Sequence, residues 1–398
     1  MRKSHLLLLF LGVVYAVLLM ADWGWRFSWY QWQKVLVYHP VVQGTAGPYV
    51  KNLHQEYDGF YGGNLAHMLN IPSLFENYAL YREGGVEISD EFGYRNRPPV
   101  TNTEYEIVVT GDSFMDYGYP LTNMLAERLS SLSGLPVYNH SYKGRGPFQG
   151  AVKLFQNQYL LRQSPKILIF GMVEADIAGG FYVSLLSRIQ QSPIRDEAES
   201  SHINWQALIP TRLSKSLPNT SIIAQVARKI WNALRYYVFG KITPDVIVAD
   251  GKVGENGMLF YRYNIEAMKW PERIRNIPQV VWVLQEFEEI CRERGMQLVV
   301  LLIPDKEQVY RDLIPERFNA PDDPIPPSCL WELENGLKTS GIPCVNMLQP
   351  FRKKAAEGTL LYWPDDIHWN ADAIGMAAER LWQEIEPMPV NTTDDRMN

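Results

Sequence analysis

The chain has 398 residues, 46% of them hydrophobic and 21% charged, an ordinary globular balance that excludes a disordered protein. Lys and Arg number 38 against 44 Asp and Glu, a formal charge of −6, so no basic excess exists to neutralise phosphates and no nucleic-acid partner is expected. Three cysteines, Cys291, Cys329 and Cys344, are too few and too scattered for a disulfide framework or a structural zinc site.

The first element is an apolar run from Leu6 to Ala21, preceded by Arg2 and Lys3 and followed by Trp23, Trp25, Trp29, Tyr30 and Trp32. Sixteen apolar residues fall short of the about 20 that typically span a bilayer, but flanking aromatics belong at an interfacial belt. The reading is a single N-terminal membrane anchor over 1–22, with Arg2 and Lys3 on the cytoplasmic side and the remainder extracytoplasmic, in a periplasm. A cleaved signal peptide competes, although Leu18-Leu19-Met20-Ala21 matches a small-residue cleavage site poorly. Residues 23–100 show no long periodic segment and read as a membrane-proximal approach.

From residue 101 to about 390 the pattern is α/β. Tyr105–Thr110, Leu135–Asn139, Lys166–Gly171 and Gln297–Ile303 read as buried strands, and Ile342–Asn346 as a last one. Helical spacing of Leu121, Met124, Leu125, Leu129 and Leu132, a helix opening at Pro147, and helices over Val280–Arg294 and Ala371–Ile385 fill the gaps. Strand–helix alternation predicts a parallel sheet with crossover helices. It is interrupted over about 180–278 by a Ser-, Gln- and Asn-rich insertion, expected to be largely helical and carrying Ile222, Ile223, Val226, Ile230, Trp231 and Leu234 on one helix.

Two motifs carry chemistry. Gly111-Asp112-Ser113-Phe114 follows the first strand of the α/β region, where open sheets place ligands and a helix N-terminus can stabilise an oxyanion. The same residues also make an ordinary strand-to-helix turn. Far away, Asp365-Asp366-Ile367-His368-Trp369 packs two carboxylates and an imidazole together. A serine hydroxyl needs a base, and that histidine needs a carboxylate to fix its tautomer; both aspartates are close enough, and either could instead cap the last helix. His39, His54, His67 and His202 have no ligand-spaced companions, so neither metal nor cofactor is expected. His140 could line a cleft or make a structural hydrogen bond. Lys306 reads as a solvated charge, and Cys329 with Cys344 could close a disulfide.

Together, Gly111–Phe114 and Asp365-x-x-His368 resemble the SGNH/GDSL hydrolase superfamily over about residues 90–386, insertion excluded. The resemblance implies a three-layer flavodoxin-like sheet, Ser113 as nucleophile, His368 as base, and an oxyanion hole from the N–H groups of Ser113 and Gly144, with Gly146 as the alternative. Where typical members carry Gly-x-Asn-Asp, this chain has Gly171-Met-Val-Glu174-Ala-Asp176 and lacks the amide donor. Asp366-Ile-His368-Trp369, Pro304-Asp-Lys306 and Gly93-Tyr-Arg-Asn96 look more like the membrane-associated alginate O-acetyltransferase branch. The superfamily spacing favours Asp365 as the partner of His368, the branch favours Asp366, and Asp365 ranks first because its spacing is the more widely shared. The resemblance implies acetyl transfer to an exported polysaccharide, with a multi-pass membrane acyltransferase as a candidate acyl supplier. A carbohydrate O-acetyl esterase and a non-catalytic subunit of a polysaccharide machine are the alternatives.

Overall fold

The computed structural model describes residues 3–26, 47–69, 71–101, 103–143, 146–163, 165–178, 222–240, 242–322 and 324–388. The expected Trp29, Tyr30 and Trp32 belt, Gly144 and residues 179–221 of the insertion lie outside the described residues.

The centre is a five-stranded sheet in which β5 (Ile107–Thr110), β6 (Val137–Asn139), β7 (Ile167–Val173), β10 (Gln297–Ile303) and β11 (Cys344–Asn346) run in the order β11-β10-β7-β5-β6. Every pairing is parallel. Side chains alternate across it because the strand period is two. Val108, Leu168, Phe170, Val300 and Leu302 enter one core with the helices Phe148–Leu154, Ile277–Glu293 and Leu330–Thr339. Ile107, Val109, Ile169, Leu301 and Ile303 enter the other, beneath Leu125–Ser133 and Ala371–Ile385. Buried on both faces, these strands read as near-continuous apolar runs, which is why sequence finds them. The chain leaves β5 to form β6 on one side and returns to form β7 on the other, so β5 is the switch strand. Crevices at the carboxyl end of such a strand are where open sheets bind ligands.

Two regions hold more than the sequence indicated. The approach segment is structured, with small antiparallel pairs β1 (His54–Tyr57) with β4 (Gly85–Ile88) and β2 (Phe60–Tyr61) with β3 (Tyr81–Arg82). The described part of the insertion holds the expected amphipathic helix, Ile222–Phe239, but also an antiparallel hairpin of β8 (Val246–Val253) and β9 (Asn256–Tyr261). Its apolar residues serve two cores at once, Ile247 and Phe260 in one and Val246 and Leu259 in another, so no one-sided helical pattern describes them.

Helix α1 spans Lys3–Arg26. Its apolar stretch of sixteen residues would cover about 24 Å against about 30 Å of hydrocarbon. No helix among the described residues is long and apolar enough to cross a membrane. All three cysteines are free and buried, so the possible disulfide is not formed.

Candidate active site

Ser113 opens a four-residue helical turn directly after β5, with Asp112 as its cap, the carboxylate accepting from Phe114 N at 2.8 Å. The turn sits tightly on the sheet. A Cβ on Gly171 would lie 2.0 Å from the sulfur of Met115, so glycine within β7 is what lets the serine turn approach. Two further ties hold the turn: Arg95 Nη1 donates to Asp116 O at 2.6 Å and Trp369 Nε1 to Phe114 O at 2.9 Å.

His368 reaches the serine from the loop before the last helix. Its Nε2 lies 2.9 Å from Ser113 Oγ and its Nδ1 2.7 Å from Asp366 Oδ1. This is the hydrogen-bonded order in which a carboxylate fixes an imidazole and the imidazole faces a hydroxyl. Asp366 also accepts from Asn64 N at 3.1 Å. Burial alone would raise its carboxyl, but the hydrogen bond to His368 and the charge of the imidazole outweigh it and hold Asp366 down at about 2. Tyr117 lies flat on the His368 ring, at 4.4 Å and 10°.

Asp365 does something else. Both of its carboxylate oxygens face the guanidinium of Arg82, at 2.9 and 3.2 Å, and one also accepts from Gly63 N and Leu80 N, each at 2.9 Å. The loop turns here, Asp366 N donating to Trp363 O at 3.2 Å, and Arg82 Nη2 also lies 3.6 Å from Asp366 Oδ2, but of the two aspartates Asp366 is the one bonded to the imidazole. The structure gives that place to Asp366, reversing the order that motif spacing suggests. A Cβ on Gly63 would fall 2.5 Å from Asp365 O, so the approach segment can close over this loop only with glycine there.

Lys306 is a second departure. Far from solvated, it is buried, and its Nζ donates toward the carbonyl oxygens of Leu259, Trp363, Pro364 and Asp366 at 2.7 to 3.0 Å. Burial pushes its pKa down to about 7 against the opposing pull of Glu307, Asp366 and Asp365. The ammonium thus ties the Asp365–His368 loop to the hairpin strand β9.

The similarity to known proteins agrees with this architecture. Residues 252–397 match the family described as SGNH hydrolase-like domain, acetyltransferase AlgX. Over those residues the chain is similar to SGNH hydrolase-like domains of the alginate O-acetyltransferase-like branch. It is also similar to a probable alginate O-acetylase AlgJ of Azotobacter vinelandii, 26% identical over 172 residues, covering 42% of this chain and 40% of the relative. The chain therefore spans about two-fifths of the length of that curated relative. Ser113 lies outside the family match, so its place in the SGNH-like site rests on geometry.

In this SGNH-like site the other expected blocks fare unevenly. Gly144 lies outside the described residues, while Gly146 occupies a left-handed turn, φ 71°. His140 is packed against Tyr94, rings 4.1 Å apart, and burial, then the charge of Lys153, lowers its pKa to about 3; it is a structural ring. Glu174 belongs to a buried ionic cluster, its pKa raised to about 7 by burial and by Asp305, against the pull of Arg273. Arg273 in turn bonds Asp305 at 2.6 Å. Asp176 is hydrogen-bonded to Asp112, and burial followed by that neighbouring carboxylate raises it well above its ordinary range. Among the described residues no cluster of His, Cys, Asp and Glu could hold a metal ion.

Sequence reasoning missed Arg82, Tyr117 and the role of Lys306. Arg82 sits in a segment with no periodic pattern, so only the glycine pair Gly62-Gly63 hinted that backbone there makes a close approach.

Proposed function

We propose that the chain is a serine-dependent O-acyltransferase that moves an acetyl group onto a hydroxyl of an exported polysaccharide. The observation that carries this reading is the continuous relay of Ser113, His368 and Asp366 at 2.9 and 2.7 Å. Ser113 Oγ attacks the acyl carbonyl carbon while His368 takes its proton. The bond from that carbon to the donor oxygen or sulfur breaks, and the leaving group receives the proton from His368. A sugar hydroxyl then attacks the acyl-serine, passes its proton to His368, and Ser113 leaves with that proton restored. Asp366 keeps the imidazole in the needed tautomer and stabilises its charged form. The N–H of Ser113, with that of Gly144 or Gly146, is suited to the oxyanion.

Water in place of the sugar gives an esterase with the same groups, and the acetyltransferase description of the matched family favours transfer. A non-catalytic role in a polysaccharide complex draws support from the missing amide donor of the third block. The test is a short incubation with p-nitrophenyl acetate and peptide mass analysis. An acetyl group on Ser113, absent in Ser113→Ala and His368→Ala, supports the proposal; no acyl-serine and no turnover would favour the non-catalytic role. Adding an oligosaccharide acceptor separates transfer from hydrolysis by the appearance of acetylated sugar.

The same proposal places the chain at a membrane face, with the catalytic part outside the cytoplasm and a multi-pass membrane acyltransferase as acyl supplier. Leu6, Leu9, Phe10, Val13 and Val17 of α1 are each more than half exposed. The adjoining helix Ile222–Phe239 exposes Ile230, Trp231 and Phe239 and carries Arg228, Lys229 and Arg235 with no acidic residue. Such faces suit a lipid interface. Recovery of the full chain in the membrane fraction, lost on Val13→Asp with Val17→Asp, is the expected result; unchanged recovery would exclude α1 as the tether.

A further inference from the structure

A second opening involves neither Ser113 nor His368. A cavity of about 590 Å³ sits between residues 252–254 beside the β8–β9 turn, residues 308–313, and the end of the helix Leu348–Ala356. Its size falls in the range of small-molecule sites, about 300 to 1,000 Å³. Lys252, Arg311 and Arg352 line it. Asp312 is the single carboxylate among the described residues that line it, which leaves two positive charges in excess.

Both guanidiniums are half-buried and held in place by neutral groups. Arg311 Nη1 donates to Pro326 O at 2.9 Å, and Arg352 donates through Nε to Gln308 O and through Nη2 to Gln308 Oε1, each at 3.0 Å. Neither arginine forms an ion pair among the described residues, and Nε and Nη2 of Arg311 and Nη1 of Arg352 have no hydrogen-bond partner there. Burial, then the charge of Arg352, lowers the pKa of Arg311 against the pull of Asp312, so the two cations act on one another. Like charges this close repel unless an anion comes between them. The carbonyls at the end of the helix Leu348–Ala356 do not compete for the cations: those of Lys353, Lys354 and Ala355 already accept from Glu357 N, Gly358 N and Thr359 N. Guanidinium forks that are oriented but not neutralised are preset for an oxyanion.

Charge and shape select the anion. A carboxylate carries one negative charge; a phosphate monoester carries nearly two at neutral pH and presents three acceptor oxygens. An excess of two charges, with open N–H groups on two separate guanidiniums, fits the phosphate.

We propose that this cleft binds a dianionic phosphate group, free or as the monoester of a small polar molecule, through the guanidiniums of Arg311 and Arg352. The proposal goes beyond the acyl-transfer reading and does not depend on it. Calorimetry on the full chain, in a buffer without phosphate, tests it with glucose 6-phosphate, inorganic phosphate and glucuronate as probes. A phosphate probe should bind at least about tenfold more tightly than glucuronate. Arg311→Gln and Arg352→Gln should each weaken that binding at least about tenfold, and Arg311→Lys should restore only part of it, because an ammonium keeps the charge and loses the fork. Lys353→Gln is the control. It removes an exposed charge from the same helix but outside the cavity lining, and affinity should not change. Thermal unfolding of each variant separates lost binding from lost fold; if Arg352→Gln does not fold, Arg311→Gln and Arg311→Lys carry the test. Tighter binding of glucose 6-phosphate than of free phosphate would assign a sugar body to the rest of the cavity, and equal binding would assign free phosphate; both support the proposal. No binding of either phosphate, glucuronate bound as tightly as they are, or a loss in Lys353→Gln equal to that in Arg311→Gln would overturn it.

Discussion

Arg82 grips Asp365 through both carboxylate oxygens, in a pair with almost no solvent exposure on either side chain. The guanidinium also lies over the ring of Trp363 at 4.4 Å. This joins the approach segment to the loop that delivers His368, and it separates the duties of two neighbouring aspartates.

Exchange of each aspartate for asparagine should therefore have different consequences. Asp365→Asn leaves the buried Arg82 with only the more distant carboxylate of Asp366, 3.6 Å away, and should cost about 3 kcal/mol of stability. Asp366→Asn should cost less, about 2 kcal/mol, keep the fold, and lower acetyl-ester turnover by up to about 10⁴-fold, through a wrong tautomer and an unsupported imidazolium. Denaturant unfolding and p-nitrophenyl acetate turnover on both variants decide the matter. Equal, mild losses of turnover in both would mean that His368 works without either carboxylate.

Acid should act through Asp366 in a defined window. Its folded pKa of about 2 lies below the ordinary aspartate value, so its contribution is fully present above about pH 4 and is lost as pH falls through about 2. The depression corresponds to about 2 kcal/mol. Unfolding free energies of the wild type and Asp366→Asn, measured from pH 5 downward, should converge by about that amount toward pH 2. Parallel curves would show that the ion pair with His368 contributes no such term.

Removing the ammonium of Lys306 should loosen the same loop. Lys306→Met removes the shared donor of four carbonyl groups; Trp363 O and Pro364 O keep backbone donors in Asp366 N and Leu259 N, and each carbonyl left unpaired in the interior costs about 1 to 3 kcal/mol. A drop of several kcal/mol in stability is expected, with reduced turnover at temperatures where the fold survives. Lys306→Arg should not restore it, because a planar guanidinium cannot occupy a site built for a compact cation. Thermal unfolding checks both variants, and a stable Lys306→Met chain would show that the carbonyls find other donors.

Trp369 offers a milder probe. Trp369→Phe keeps an aromatic ring in the core and removes the indole donor to Phe114 O, which still accepts from Tyr117 N, so the lost hydrogen bond should cost about 0.5 to 1.5 kcal/mol. Acetyl-ester turnover should fall at temperatures where thermal unfolding shows the fold intact, since the serine turn loses one of its ties. Unchanged turnover would show that the remaining ties hold the turn.

The sequence by itself determined the sheet. Ile107–Thr110, Ile167–Val173 and Gln297–Ile303 are apolar on both faces, and that composition has no stable home except between two helical layers. It also brought the candidate chemistry down to Ser113, His368 and two aspartates, because a turn after a buried strand and a dense acid–imidazole motif are local signals. What it could not do was choose between Asp365 and Asp366, recognise Lys306 as a buried clamp, or see Tyr117 laid flat on His368. Those are contacts between segments far apart in the chain, from 47 positions between Lys306 and Leu259 to 302 between Gly63 and Asp365. Local propensity holds no information on such partners. Only the packing of the approach segment and the hairpin around the carboxyl end of the sheet fixed which carboxylate faces the imidazole and which faces an arginine.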